Sequence, residues 1–298
     1  MRATDGLAAY HPAVSLLFFV LVISCGMFLM HPVCLGLSFA CASAYAIRLN
    51  GRAALRLGLR FLLPVLVVTA LLNPAFNHAG VTVLGYLPSG NPLTLESVLY
   101  GLAAASMLVT VISWFSCFNT VMTSDKLVYL FGRVVPALSL VLSLSLRLVP
   151  RYRAQIRAIA DAQRCVGRDV SQGTVRARAR QGMRMLSIMV TWALENAVGT
   201  ADSMRARGFG LAGRTAFSAY RIRRRDLAAL VFLGVCGGCL VVGALLGGLR
   251  FQYFPLVTGA WADPAAVGLF ACYLALCAMP LAIDLQEGCL WKRSRSSI

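Results

Sequence analysis

Runs of uncharged, mostly apolar residues divide the chain before anything else does. Residues 13–30, 97–122, 227–248 and 264–283 form such runs of 18, 26, 22 and 20 residues. Each is long enough to cross about 30 Å of hydrocarbon as a helix. Two shorter runs, 33–47 after His31-Pro32 and 61–76 with Pro64 and Asn73-Pro74 inside it, hold 15 and 16 residues. That length is marginal for a crossing and leaves a re-entrant or buried helix as the alternative. Six spans are expected, four of them before residue 122 and two after residue 227.

Charge tests that count independently. Only 13% of the 298 residues are charged and 59% are hydrophobic, with a mean hydropathy of +0.74. A soluble domain carries about 25% charged residues, so a water-facing enzyme is excluded. The net charge is +17, from 28 cations against 11 acids, and every cation except Lys126 and Lys292 is Arg. With six spans and a cytoplasmic N-terminus, 27 of the 28 cations fall in cytoplasmic segments, Arg250 being the exception. This is the bias expected of loops retained in the cytoplasm, and it accounts for a pI near 10.1 without nucleic acid as a partner. The expectation is a multi-pass bacterial inner-membrane protein with both termini in the cytoplasm. Cys236 and Cys239 form a C-x-x-C in mid-span, and Cys25, Cys34, Cys41, Cys117, Cys272 and Cys277 lie in or beside apolar runs. Free Cys there packs as a small hydrophobe.

Residues 123–226 interrupt the membrane pattern with 19 cations and six acids, yet they carry apolar stripes rather than loop composition. Met189, Val190, Ala193, Leu194, Ala197, Val198 and Ala201 recur at three and four residues, one face of a helix. That helix should begin near the turn 171–174 and end at Gly208 or Gly210. Earlier, residues 139–149 alternate Leu and Ser, which in isolation reads as a strand. Leu is a strong helix former, and Tyr152, Ile156, Ile159, Ala160 and Gln163 continue at helical spacing, so a helix over 137–165 bent near Pro150 is favoured. The fold class is therefore all-α: about six transmembrane helices plus two long amphipathic cytoplasmic helices. Its parts are 1–122, 123–226 and 227–298, the last with a basic tail.

Each long helix ends in a tip containing Arg and Gly: Ala162-Gln163-Arg164-Cys165-Val166-Gly167 and Ser203-Met204-Arg205-Ala206-Arg207-Gly208-Phe209-Gly210. On these tips the chain resembles the T component, EcfT/CbiQ type, of energy-coupling factor transporters. The resemblance runs from about Ser124 to Gly210, and Ala206-Arg207-Gly208 reproduces the Ala-Arg-Gly signature of that family. It implies a non-catalytic subunit whose tips dock into two ATP-binding cassette ATPases and whose crossed helices seat a small membrane substrate-binding component. ATP and Mg would be held by the ATPases, leaving no cofactor in this chain, and the bilayer is the remaining partner. Arg205, Ala206, Arg207 and Gly208 form the second docking tip. At the first tip the family pattern is Ala-Gln-Arg-x-Arg-Gly, and Val166 stands at the last Arg position. Arg164 or Arg168 is then expected to substitute, or the tip to dock through Cys165, Val166 and Gly167. Asp202 and Arg205, three apart, are expected to pair and stiffen the second tip.

Other function classes fit less well. An intramembrane enzyme acting on a lipid or prenyl substrate needs ionisable groups grouped in the spans. His11, His31 and His78 instead fall singly at span ends, His78 as a turn residue, and Glu195, with Asn196 beside it, reads as a hydrogen-bonded structural residue. ATP hydrolysis needs Gly-Lys-Ser/Thr, whereas the two lysines follow Asp125 and Trp291. A conventional importer permease would carry a Glu-Ala-Ala coupling loop whose glycine spacing the Glu195 region lacks.

Overall fold

The computed structural model describes residues 6–86, 91–134, 136–167, 173–209, 211, 220–259 and 263–295. The first two helices start by the same device. In α1 (Pro12–Phe28) and α2 (Pro32–Asn50), Pro occupies the first helical position, where its missing N–H removes no bond. The preceding His caps the end: His11 Nδ1 accepts from Ala13 N at 3.2 Å and His31 Nδ1 from Val33 N at 3.3 Å. A helical stretch over Arg52–Phe76 follows, made of α3 (Arg52–Leu57), a π turn at Gly58–Leu62 and α4 (Leu63–Phe76). The π turn stands immediately before Pro64, which has no N–H to continue the i→i−4 ladder. A short antiparallel pair, β1 (Val83–Tyr86) and β2 (Pro92–Thr94), leads into α5 (Leu95–Val121). Near this pair the Asn91 amide donates to His78 Nε2 at 3.0 Å.

Among the described residues, five helices are long and apolar enough to cross a membrane: Pro32–Asn50, Arg52–Phe76, Leu95–Val121, Arg224–Leu245 and Pro264–Gly288, with the 17-residue Pro12–Phe28 as a shorter sixth. The two runs expected to be marginal become helices of 19 and 25 residues. Counting uncharged residues had stopped at Arg48 and Arg60, but the helices continue past them, and a long Arg side chain at a helix end reaches the headgroup region while its stem stays apolar. The run at 13–30 yields the shortest of the six.

The chain divides into two compact units, Met1–Leu127 with Tyr220–Ile298, and Val128–Ala219. In the first, α1, α2, α5, α9 (Arg224–Leu245) and α10 (Pro264–Arg295) enclose the core. Trp114 is its centre: fully buried, it donates Nε1 to Ser38 Oγ at 3.0 Å and meets the rings of Phe18 and Phe19 edge-on at 5.7 and 6.3 Å. Helix α4 packs mainly on α5, close enough that a Cβ on Gly101 would stand 2.8 Å from the Ala70 carbonyl oxygen. Its other faces, including Leu71, are exposed. The cysteines among the described residues are free, Cys236 and Cys239 included. At the end of the bundle where α1 and α9 finish, the strand pair β3 (Phe251–Gln252) and β4 (Thr258–Gly259) brings in Tyr253, whose hydroxyl donates to Met30 O at 2.8 Å. Burial, aided by the neighbouring Tyr100 phenol, pushes Tyr253 up to about 12, so it stays a donor at neutral pH. The opposite end gathers the start of α1, the end of α5, the start of α9 and Asp284 of α10 through hydrogen bonds.

The second unit contains α7 (Pro136–Cys165) and α8 (Val175–Ala206), and α6 (Ser124–Val134) leads into it. The Leu/Ser alternation resolves as helix: Ser145 Oγ donates to the Val141 carbonyl at 2.7 Å, a hydroxyl satisfied inside the helix that needs no strand partner. Two amphipathic helices were expected over 123–226; α6 is a third, and the helical spacing of Leu127, Leu130, Phe131 and Val134 was the signal available for it.

Trp114→Ala should cost about 3–5 kcal/mol, since a large buried aromatic leaves a cavity, and should lower the thermal midpoint of the purified chain. Leu71→Ala on the exposed face of α4 should leave it unchanged.

Candidate functional site

Both long helices of the second unit cross at an aromatic contact. Tyr152 of α7 meets Trp192 of α8 edge-on at 5.6 Å, and the Arg151 guanidinium lies 5.5 Å from the same indole. From this point a cleft of about 1300 Å³ opens between α7 upstream of Tyr152 and α8 downstream of Trp192, with Leu144, Arg147, Ser203 and Arg207 among its walls. Helix α8 therefore runs beside α7 in the opposite sense, and the C-terminal tips leave the crossing in opposite directions. Each tip stands about 20 Å from it at 1.5 Å rise per residue. The two arms are equal.

Thr174 caps the start of α8, its Oγ1 accepting from Ala177 N at 3.4 Å, where the turn was expected. Along α8 the predicted stripe is largely uncovered: Leu186, Val190, Leu194, Ala197, Val198 and Ala201 are exposed, Met189 and Ala193 half-buried, and the helix has no buried residue. Exposed apolar surface on this scale marks a place where something else packs.

The second tip ends in a defined helix stop. Gly208 adopts φ +68°, its N–H donates to Arg205 O at 2.9 Å, and Phe209 N–H reaches back to Met204 O at 3.0 Å. This pair of bonds is a Schellman motif, with Ala206 as the last helical residue, Arg207 as the cap and Gly208 in the left-handed position. Arg205, Ala206 and Arg207 are exposed. Ala206 presents only a methyl group, and Arg207 a forked donor face suited to carboxylates.

At the first tip Gly167 has φ +76° and donates its N–H to Arg164 O at 2.9 Å. Arg164, Cys165, Val166 and Gly167 thus occupy the places of Arg205, Ala206, Arg207 and Gly208, on the same left-handed glycine turn. The difference is chemical: Val166, 68% exposed, stands where the other tip has Arg207. Arg168 and Gly210 lie outside the described residues. The expected Asp202–Arg205 pair does not form among the described residues; the equivalent pair occurs at the first tip, Arg164 to Asp161 at 3.5 Å. Both side chains there are solvated, so it contributes at most about 1 kcal/mol. Glu195, expected in a hydrogen-bonded structural role, lines the cleft and is exposed, with no side-chain hydrogen bond among the described residues. Arg147 and Arg151 were missed as cleft residues; their i, i+4 spacing beside Tyr152 was the available signal. Among the described residues, no three His, Cys, Asp or Glu side chains stand close enough to hold a metal ion.

Residues 7–217 match the family described as CbiQ, cobalt transport protein. Three relatives carry the name energy-coupling factor transporter transmembrane protein EcfT. The chain is 30% identical to that of Listeria innocua over 198 residues, 61% of this chain and 72% of the relative. It is 31% identical to that of Lactobacillus helveticus over 114 residues, 38% of this chain and 41% of the relative. To that of Lacticaseibacillus paracasei it is 34% identical over 117 residues, 39% and 42%. The matched stretch thus spans less than half the length of the last two.

Gly208→Ala forces an L side chain into a left-handed turn, with its Cβ 3.1 Å from Leu211 Cδ1. A cost of about 1–2 kcal/mol follows from the conformation alone, and faster hydrogen exchange at the Phe209 amide should report it. Gly199→Ala, in open space within α8, should show no such loss.

Proposed function

Since the chain belongs to the CbiQ family of cobalt transport proteins, we propose that it is the transmembrane scaffold of an ATP-driven energy-coupling factor importer for a vitamin or metal ion. In this reading two ATP-binding cassette subunits each receive one tip, and a small membrane substrate-binding subunit rests on the apolar stripe of α8. The observation that carries it is the repeated turn: two tips of equal reach and like backbone, at opposite ends of a crossed pair. Two grooves on two related motors need such a pair. Movement of the ATPases on binding nucleotide swings the arms about Tyr152 and Trp192, and the stripe passes the motion to the substrate-binding partner. The chain contributes no catalytic group, and ATP with Mg stays in the partners.

Both termini are cytoplasmic in this reading. The Arg distribution supports it, as does the meeting of the start of α1 with the end of α5, which requires an even number of passes between them.

Arg207→Glu should abolish co-purification of the ATPases while the chain still inserts into the membrane; retained association would count against docking through this tip. Arg164→Ala should be milder than Arg207→Ala, because Arg164 already faces Asp161 and its tip presents Val166 at the cap. Equal losses in a pull-down would reject that inequality.

A further inference from the structure

The chain leaves the membrane unit at Leu127 and returns at Tyr220, and side chains on both strands grip one short segment near the N-terminus. We propose that this segment, residues 6–11, is the anchor through which motion of the second unit enters the membrane helices, with Lys126, Arg225 and Asp226 as positioning residues. The inference rests on the coupling role proposed above.

On the outgoing strand, Lys126 Nζ donates to Ala8 O at 3.0 Å and to Val121 O at 2.9 Å, so one ammonium joins the C-terminal end of α5 to the segment. On the returning strand, Arg225 Nη2 donates to Ala9 O at 2.6 Å while its guanidinium lies 4.9 Å from the Tyr10 ring. Asp226 accepts from His11 N at 3.2 Å through Oδ1 and from Arg223 N at 2.8 Å through Oδ2. One carboxylate thereby spans the N-termini of α1 and α9. Lys126 sets a cation at the C-terminus of α5 and Asp226 an anion at two helix N-termini, both favoured by the helix dipole. A third helix joins from α10, where Asp284 Oδ1 accepts from Gly6 N at 2.8 Å. The approach is tight, since a Cβ on Gly6 would stand 2.8 Å from Ile283 Cγ2.

Three properties make this a linkage rather than ordinary packing. Every hydrogen bond to the segment falls on its backbone atoms, so a pull on the gripping side chain moves the chain that leads into α1. Lys126 and Asp226 are 6% and 2% exposed, and charged hydrogen bonds of this kind are short and strong. Parting them would strand a buried charge. The two strands also act on adjacent residues, Ala8 on one side and Ala9 to His11 on the other, so opposite displacements of the strands turn the segment and α1 with it.

The test uses the full chain with its ATPase pair in lipid nanodiscs. Genetically encoded spin labels replace Phe28 and Leu245, exposed residues at the far ends of α1 and α9. The distance between them is measured with ADP and with ATP plus vanadate. Wild type should show a nucleotide-dependent shift. Lys126→Met and Asp226→Asn should lose the shift while still binding the ATPases and hydrolysing ATP, and Lys126→Arg, which keeps the charge and donors, should restore it. A shift that persists in Lys126→Met and Asp226→Asn, or that is absent from wild type, overturns the proposal. Association of the ATPases with wild type is scored first, so failure of the coupling reading is seen separately from failure of the anchor.

Discussion

A backbone N–H or carbonyl without a partner inside hydrocarbon costs several kcal/mol, because no water is there to take it. That constraint shapes each span. His11 and His31 cap the first two helices with ring nitrogens, and Pro occupies the next position, where no donor is lost. Where Pro64 does break the ladder, the helix passes through a π turn. At the start of α5, Thr94 Oγ1 accepts from Ser97 N, and the buried Glu96 carboxylate takes the Thr82 N–H and hydroxyl. Charge follows the same logic: the buried Lys126 ammonium binds a carbonyl at the end of α5, and the buried Asp226 carboxylate binds amides at the starts of α1 and α9, where backbone groups are left over.

The second unit obeys the opposite condition. It has polar groups in plenty and too little partner surface, so α8 keeps its apolar stripe uncovered. Its two long helices meet at the Tyr152–Trp192 crossing and end in two glycine stops. The stops are local structures, produced by a glycine in the left-handed region after the last turn, and so they recur despite different side chains. Reach and backbone shape are shared by the tips; their chemistry is not. An Arg fork at the cap of one and an isopropyl group at the cap of the other offer different surfaces on the same turn.

The chain runs out of the first unit after Leu127 and back into it at Tyr220. A short tether would transmit little if it were loose at its membrane end. Lys126, Arg225 and Asp226 remove that slack within a few residues of each strand's departure, by using the carbonyls and amides that a 3-10 turn at Leu7–Ala9 and the start of α1 leave available.

The spans, the helix stops at Gly167 and Gly208 and the ends of α8 were legible along the chain, because each depends on residues within a turn or two of one another. The same locality explains the errors: Arg48 and Arg60 were read as ends because the stretch beyond them is charged, and Asp202–Arg205 was inferred from spacing without rotamers. Tertiary structure alone decided that Tyr152 meets Trp192, which sets Arg147 and Arg207 on one cleft, and that Lys126 reaches Ala8 across 118 positions. Hydropathy and periodicity record which way a side chain faces, not which distant carbonyl it meets there; that follows only once the helices have packed.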